Sequence, residues 1–297
     1  MKILNFGSLN IDFVYSVDHI AAPGETIASH HLQILNGGKG LNQSIALSRA
    51  GATVFHAGMV GPDGDALIEA LERSHVNTGY IQKIEERTGN AMIQVDCDGQ
   101  NSIVLFGGAN QKNTQKYIES VLAKFDANDW LLLQNEVSLT ETIIQIAADK
   151  NINIALNPSP YTRDIASWPL RFVDLFFVNE IEGAQITGCT HTHDILKAFA
   201  ALYPHAKLVL TLGHQGAVYQ DGAQCFTHGV YKVPVVDTTA AGDTFTGYFL
   251  HSMTSGILPR EALRLACVAS AIAVSRNGAA PSIPWMCEVE AAKLQLQ

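Results

Sequence analysis

Three glycine clusters stand where strand-like runs end: Asn36-Gly37-Gly38-Lys39-Gly40, Thr211-Leu212-Gly213-His214-Gln215-Gly216 and Asp237-Thr238-Thr239-Ala240-Ala241-Gly242-Asp243. Ligands of open α/β sheets bind beyond the carboxyl ends of strands, so chemistry is expected at such junctions. The third cluster is the most informative. Val235-Val236 closes a strand-like run, and a helical pattern runs from Thr244, with Phe245 and Phe249 on one face. Small residues at 240–242 leave the first-turn amides uncovered with the positive end of the helix behind them, which is an anion site. Asp243 sits at that turn. It can cap the helix, or it can serve as a general base, because the helix dipole favours a carboxylate able to take a proton from a hydroxyl. An anion hole beside a carboxylate suits transfer of a phosphoryl group to an alcohol, where fixed donors meet the developing charge.

The first cluster fails two motif tests. A Walker A loop needs Gly six residues before the Lys and a hydroxyl after it; Gln33 and Gly40 stand there. A dinucleotide fingerprint starting at Gly38 needs a glycine at 43, where Gln stands. Two readings stay open: a flexible turn before a helix over 41–50, or a loop whose glycines admit a ligand and whose Lys39 adds a cation among free amides.

The elements that must position these loops alternate. Strand-like runs at Ile3–Gly7, Thr53–Val60, Trp130–Gln134, Ile152–Asn157, Val173–Val178 and Lys207–Leu212 are separated by helical patterns such as Ala66, Leu67, Ala70 and Leu71. This predicts an α/β fold with a mostly parallel central sheet and helices on both faces. Two regions break the rhythm. Phe13–Val17 and Thr26–Leu35 have no helix between them, and Gly89–Val95 and Asn101–Phe106 flank an Asp- and Gly-rich turn. They predict a small antiparallel β lid, formed by about residues 12–36 and 88–108, or else ordinary edge strands. Helical segments with few charges at 243–256 and 261–275 are expected to pack on the sheet, and residues 1–297 read as one domain.

Composition narrows the function classes. The chain has 297 residues, 47% of them apolar and 16% charged, which excludes disorder. The formal net charge of −9, without a basic run, argues against nucleic acid as a partner. Neither 244–259 nor 265–275 is long enough to span a bilayer, and no secretory segment opens the sequence, so a cytoplasmic, non-membrane protein is expected. Cysteines 97, 189, 225, 267 and 287 are scattered and odd in number, which predicts buried, inert thiols rather than disulfides or a zinc ribbon. His191 and His193 could supply half a metal site, but nothing nearby in the sequence completes it.

From Gly7-Ser8-Leu9-Asn10-Ile11-Asp12 to Pro281-Ser282-Ile283-Pro284-Trp285 the chain resembles the ribokinase-like family of carbohydrate kinases. Two motifs carry the likeness: Gly37-Gly38-Lys39-Gly40-x-Asn42-Gln43 and Asp237-Thr238-x-Ala240-Ala241-Gly242-Asp243-Thr244-Phe245, in the family's order and spacing. The resemblance implies transfer of the γ-phosphate of ATP, with Mg²⁺, to the hydroxymethyl group of a pentose-like sugar, ribose first. Asp243 would be the base, and the amides of Ala240, Ala241, Gly242 and Asp243 would hold the transferring phosphoryl. By similarity, Asn10, Asp12, Gly38, Lys39, Gly40, Asn42 and Glu136 would bind the sugar. Asn179 and Glu182, from the family's Asn-x-x-Glu motif, would order Mg²⁺ and phosphate through water. Thr211, Gly213 and Gly216 would form the nucleotide loop, and Cys267 stands where the family meets adenine. Asp237, Thr239, Ala273, Arg276, Gly278 and Ser282 match a monovalent-cation loop, implying K⁺. Leu41 beside the sugar loop and Asn90 in the lid depart from the pattern, and Leu41 is expected to reshape the sugar pocket. Another pentose, a ketohexose or a nucleoside is the alternative acceptor, and a non-catalytic sugar sensor is the alternative class. A lid with uncovered sheet edges predicts a homodimer joined through it.

Overall fold

Alternation of buried side chains builds the centre of the molecule. In Trp130–Gln134 all three consecutive leucines are fully buried, but Leu132 faces one apolar cluster while Leu131 and Leu133 face another. That is the signature of a strand covered on both faces. The computed structural model describes residues 1–222 and 224–297. Its strands are β1 (Ile3–Phe6), β2 (Asn10–Ser16), β3 (His31–Gly37), β4 (Val54–Val60), β5 (Asn77–Lys83), β6 (Gly89–Val95), β7 (Asn101–Phe106), β8 (Trp130–Gln134), β9 (Asn153–Asn157), β10 (Leu175–Asn179), β11 (Lys207–Thr211), β12 (Ala217–Asp221) and β13 (Gln224–His228).

Nine strands form the main sheet in the order β13-β12-β11-β10-β9-β8-β1-β4-β5. Pairings are parallel except β11/β12 and β12/β13 at one edge. Helices Lys39–Arg49, Ala241–Thr254 and Pro259–Val274 cover one face through Leu41, Ile45, Phe245, Phe249 and Leu263; Gln115–Leu122, Thr140–Asp149 and Thr192–Leu202 cover the other through Ile118, Ile143, Ile144 and Phe199. The chain leaves β1 toward β4 on one side and returns through β8 on the other, so the switch point of this sheet lies between β1 and β8.

The lid is a separate four-stranded sheet, β3-β2-β6-β7. Its two hairpins are antiparallel as expected, while the β2/β6 pair joining them runs parallel. Two local expectations need correction. Val235 and Val236 belong to no strand and are 70% and 51% exposed. Of the five cysteines only Cys267 is buried; Cys189 is half-buried and the other three are exposed, although all five are free.

Gly247 sets how closely two helices cross. A Cβ there would stand 2.5 Å from Ala46 Cβ and 2.7 Å from the Leu47 nitrogen, so the helix carrying Asp243 lies directly on the one carrying Asn42 and Gln43. Gly247→Ala is expected to cost about 1–3 kcal/mol, the range for overpacking a filled contact. Chemical denaturation checks this as a lower midpoint at unchanged slope.

Candidate active site

The loop Gly38–Asn42 is held from below by backbone and side chains of the segment after β1. Gly40 N–H donates to Ser8 Oγ at 3.2 Å, Leu41 N–H to the Ser8 carbonyl at 3.0 Å, and Ser8 Oγ–H to Glu136 Oε2. The same carboxylate accepts Lys39 N–H at 3.0 Å. A Cβ on Gly40 would stand 2.3 Å from the Ser8 nitrogen, so only glycine permits this approach. The helix that follows starts at Lys39 and presents Asn42 and Gln43 to Asp243: Asn42 Nδ2 donates to Oδ2 at 3.0 Å and Gln43 Nε2 to Oδ1 at 2.9 Å.

Asp243 lies on the first turn of the helix Ala241–Thr254, 8% exposed, its carboxylate engaged by the glycine loop rather than by the apolar core. Ala240 precedes that helix in the left-handed region at φ 61°, and no side chain caps it. Ala241 N–H bonds the Thr238 carbonyl at 3.3 Å, so the open end of the turn is the Gly242 and Asp243 amides. A Cβ on Gly242 would meet nothing within 4 Å. Asp243 is thus not a capping residue: its oxygens accept from another helix.

Asn10 and Asp12 project from β2 beside this loop. Asn110 Nδ2 donates to Asn10 Oδ1 at 2.8 Å and to the Leu9 carbonyl, while Asn110 Oδ1 accepts Leu9 N–H, which fixes the Asn10 amide. Burial, reinforced by the Glu136 charge, raises the Asp12 pKa to about 7. Burial also raises that of Glu136, against the opposing pull of Lys39. For Lys39 burial opposes the charge, but Asp243, Glu136 and Glu182 outweigh it and raise its pKa. These residues therefore share one electrostatic site.

A cavity of about 560 Å³ opens on the far side of the Ala241-Gly242 turn. Asn179, Thr211, Gly213, Gly216, Gly242 and Cys267 all line it. Its volume is that of a small-molecule site. Gly213 and Gly216 take positive φ to turn from β11 into β12, with Leu212 N–H bonding the Gly216 carbonyl at 2.8 Å. Cys267 is buried and its pKa is pushed up to about 12 by that burial, so it presents an uncharged thiol to the cavity. Asn179 and Glu182 form a capping box: Asn179 Oδ1 accepts Glu182 N–H and Glu182 Oε2 accepts Asn179 N–H, at 2.8 and 3.0 Å. Asn179 lines the cavity whereas Glu182 stands behind it, 5% exposed.

Asp237 ties two further loops together, accepting Thr239 N–H at Oδ1 and Gly278 N–H at Oδ2, each at 2.9 Å. Burial would raise its pKa, but these donors lower it. The Ala273 carbonyl accepts Arg276 N–H, and Ser282 is buried with its hydroxyl on the Ala279 carbonyl. Leu41 corrects an expectation. It is fully buried in the core under the loop, so it does not shape the sugar pocket. Asn90 is half-buried and donates to the Thr88 carbonyl at 3.3 Å. Among the described residues no three His, Cys, Asp or Glu side chains gather as a metal site, and no helix is long and apolar enough to cross a membrane.

Sequence reasoning missed Ser8, Asn110, Asn5, His56, Gln134 and Asn157. Two had a local signal: Ser8 sits in the Gly7–Asp12 segment, and Asn110 follows Gly107-Gly108-Ala109 at the end of the lid.

A carboxylate beside an open helix turn, with the glycine loop on one side and a cavity beyond the ends of β10 and β11 on the other, is an arrangement suited to phosphoryl transfer by an α/β enzyme. Residues 1–286 match the pfkB family carbohydrate kinase profile, and the chain belongs to that family. It is 35% identical to a ribokinase of Haemophilus influenzae over 288 residues, covering 94% of each chain, and 33% identical to a ribokinase of Bacillus subtilis, covering 97% and 98%. Among solved structures it resembles ribokinase from Cryptococcus neoformans in complex with ADP, with TM-score 0.84, 33% identity and 97% and 98% coverage. It also resembles ribokinase of Arabidopsis thaliana complexed with ribose and ATP, with TM-score 0.84, 28% identity and 97% of each chain covered. The chain is a carbohydrate kinase with an alcohol group as acceptor.

Proposed function

We propose that this kinase transfers the γ-phosphoryl group of ATP to the hydroxymethyl group of ribose, with Asp243 as general base. The observation that carries the reading is the placement of Asp243: its carboxylate lies among Asn42, Gln43 and Lys39 on one side, while the Gly242 amide of the same turn borders the cavity. A sugar beside Asn10, Asp12 and Glu136 and a nucleotide in the cavity would meet across that turn. Asn42 Oδ1 is buried without a partner, an acceptor that a sugar hydroxyl would satisfy. The Gly242 and Asp243 amides would carry the charge of the migrating phosphoryl. Asn179 and Glu182 offer oxygen donors suited to a hydrated Mg²⁺, which would neutralise phosphate charge when bound. The oxygen-rich loops joined by Asp237 suit a K⁺ ion that would order the same turn.

A 30% identical relative named deoxyribokinase, from Salmonella typhi, makes deoxyribose the second acceptor. A panel of pentoses, ketohexoses and nucleosides, with ADP detection and with or without potassium, tests the assignment. Ribose turned over with the highest kcat/KM, faster with potassium, is expected; preferential turnover of a nucleoside would displace it.

The lid exposes Ile34, Met92, Val104, Leu105 and Phe106 by 49–66%, between uncovered strands β3 and β7. We therefore assign a homodimer through the lid, which sedimentation at micromolar concentration tests. The exposed free cysteines suit a reducing, cytoplasmic compartment.

A further inference from the structure

A row of buried polar side chains crosses the central sheet under the glycine loop. His56, Asn5, Gln134 and Asn157 come from β4, β1, β8 and β9, which are successive neighbours in the sheet, and Asn5/His56 and Gln134/Asn157 are paired positions. Asn5, His56 and Gln134 are at most 1% exposed, as are Gln43 and Ser44 of the overlying helix. Burying so many polar groups in an apolar sheet is costly unless each is matched.

All but Gln134 Oε1, which is buried without a partner, are matched in one sense. His56 Nε2–H donates to the Gly7 carbonyl at 3.2 Å, and Ser44 O–H donates to His56 Nδ1 at 2.8 Å. This is the neutral imidazole, consistent with a pKa lowered by burial to about 4. Asn5 Nδ2 donates to Ser44 Oγ and to the Gly40 carbonyl at 2.8 and 2.7 Å. Gln134 Nε2 donates to Asn5 Oδ1 at 3.0 Å and to Gln43 Oε1 at 2.7 Å. With its oxygen held there, Gln43 must turn Nε2 toward Asp243 Oδ1 at 2.9 Å and Asn157 Oδ1 at 3.1 Å. The amide of Gln43 therefore has one orientation, and through it the loop backbone at Gly7 and Gly40 and the carboxylate of Asp243 are fixed to one frame.

We propose that Gln43 is the positioning residue for the Asp243 carboxylate, aimed by the buried row Asn5–Gln134. This rests on Asp243 being the base and adds how that base is kept in line with the acceptor hydroxyl. Gln43 has no direct contact with substrate in this role. Truncating its amide should leave binding intact and remove alignment.

The test compares full-length Gln43→Met, Gln43→Glu and Asp243→Asn with the parent, using ribose and ATP, with ADP affinity from calorimetry and folding from thermal melts. Gln43→Met is expected to lose turnover by about 10- to 100-fold, as small misplacements of a reacting group do. KM for both substrates and ADP affinity should stay within about threefold, since uniform binding is untouched. Gln43→Glu keeps the shape but sets a carboxylate against Asp243, so the acid limb of its kcat profile should move to higher pH. Lys39 and Glu136, the charged groups facing Asp243, are unchanged in both variants. Parent-like turnover in a folded Gln43→Met, or a loss lying in KM alone, overturns the proposal. If Gln43→Met does not fold, the pH profile of Gln43→Glu decides, and an unmoved limb overturns it. Parent-like turnover in Asp243→Asn would instead remove the base assignment itself.

Discussion

Asp243→Asn is expected to lower turnover by about 10² or more while ATP and sugar still bind, the scale of a lost general base. The amide is nearly the same size, so the helix turn and its open Gly242 amide stay as they are. It cannot take the proton, and one of its two positions presents an NH₂ to Asn42 Nδ2 or Gln43 Nε2, both of which are donors. The loss should therefore appear in kcat, with calorimetric affinities for ADP and ribose close to the parent's. Near-parent turnover would remove Asp243 from the chemistry.

Asp12→Ala should act on the sugar alone. A hydrogen bond to a charged group is worth about 1.5–3 kcal/mol, which is roughly ten- to 150-fold in affinity. KM for ribose should rise by that amount with KM for ATP unchanged. The same residue sets a pH signature. Burial, with the Glu136 charge, holds its carboxyl at about 7 in the folded protein, against 3.8 for a free aspartate side chain. Between those values the native state binds more protons than the unfolded chain, so this group makes stability fall as pH rises through the window and level off above it. Thermal melts should show that slope in the sugar-free parent, and Asp12→Asn, which does not titrate, should flatten it. A parallel slope in both proteins would show that Asp12 is not the source.

Much of this was legible locally. Trp130–Gln134 announces a doubly covered strand by its apolar run, and the two glycine motifs mark the loops that meet at Asp243 because each packs its residues within a few positions. What stayed hidden depends on partners far apart in sequence. Asn5, His56 and Gln134 are each the one polar residue of a strand and Asn157 ends another, and only the β4-β1-β8-β9 order turns them into a row. The parallel β2/β6 pair was invisible for the same reason, since hairpin signals report neighbours and not what joins them. Leu41 departs from the family pattern beside the sugar loop, yet one helical residue rotates the side chain from the ligand face to the core. Val235-Val236 has strand composition but pairs with no strand.

If Asp243 and the Gly242 amide act together, phosphorus passes across the Gly242 turn from nucleotide to sugar. Phosphorus NMR of the products of ribose and ATP addresses it directly. One phosphomonoester on the hydroxymethyl carbon for each ADP formed is the predicted result. ADP released with inorganic phosphate and no sugar ester would contradict it.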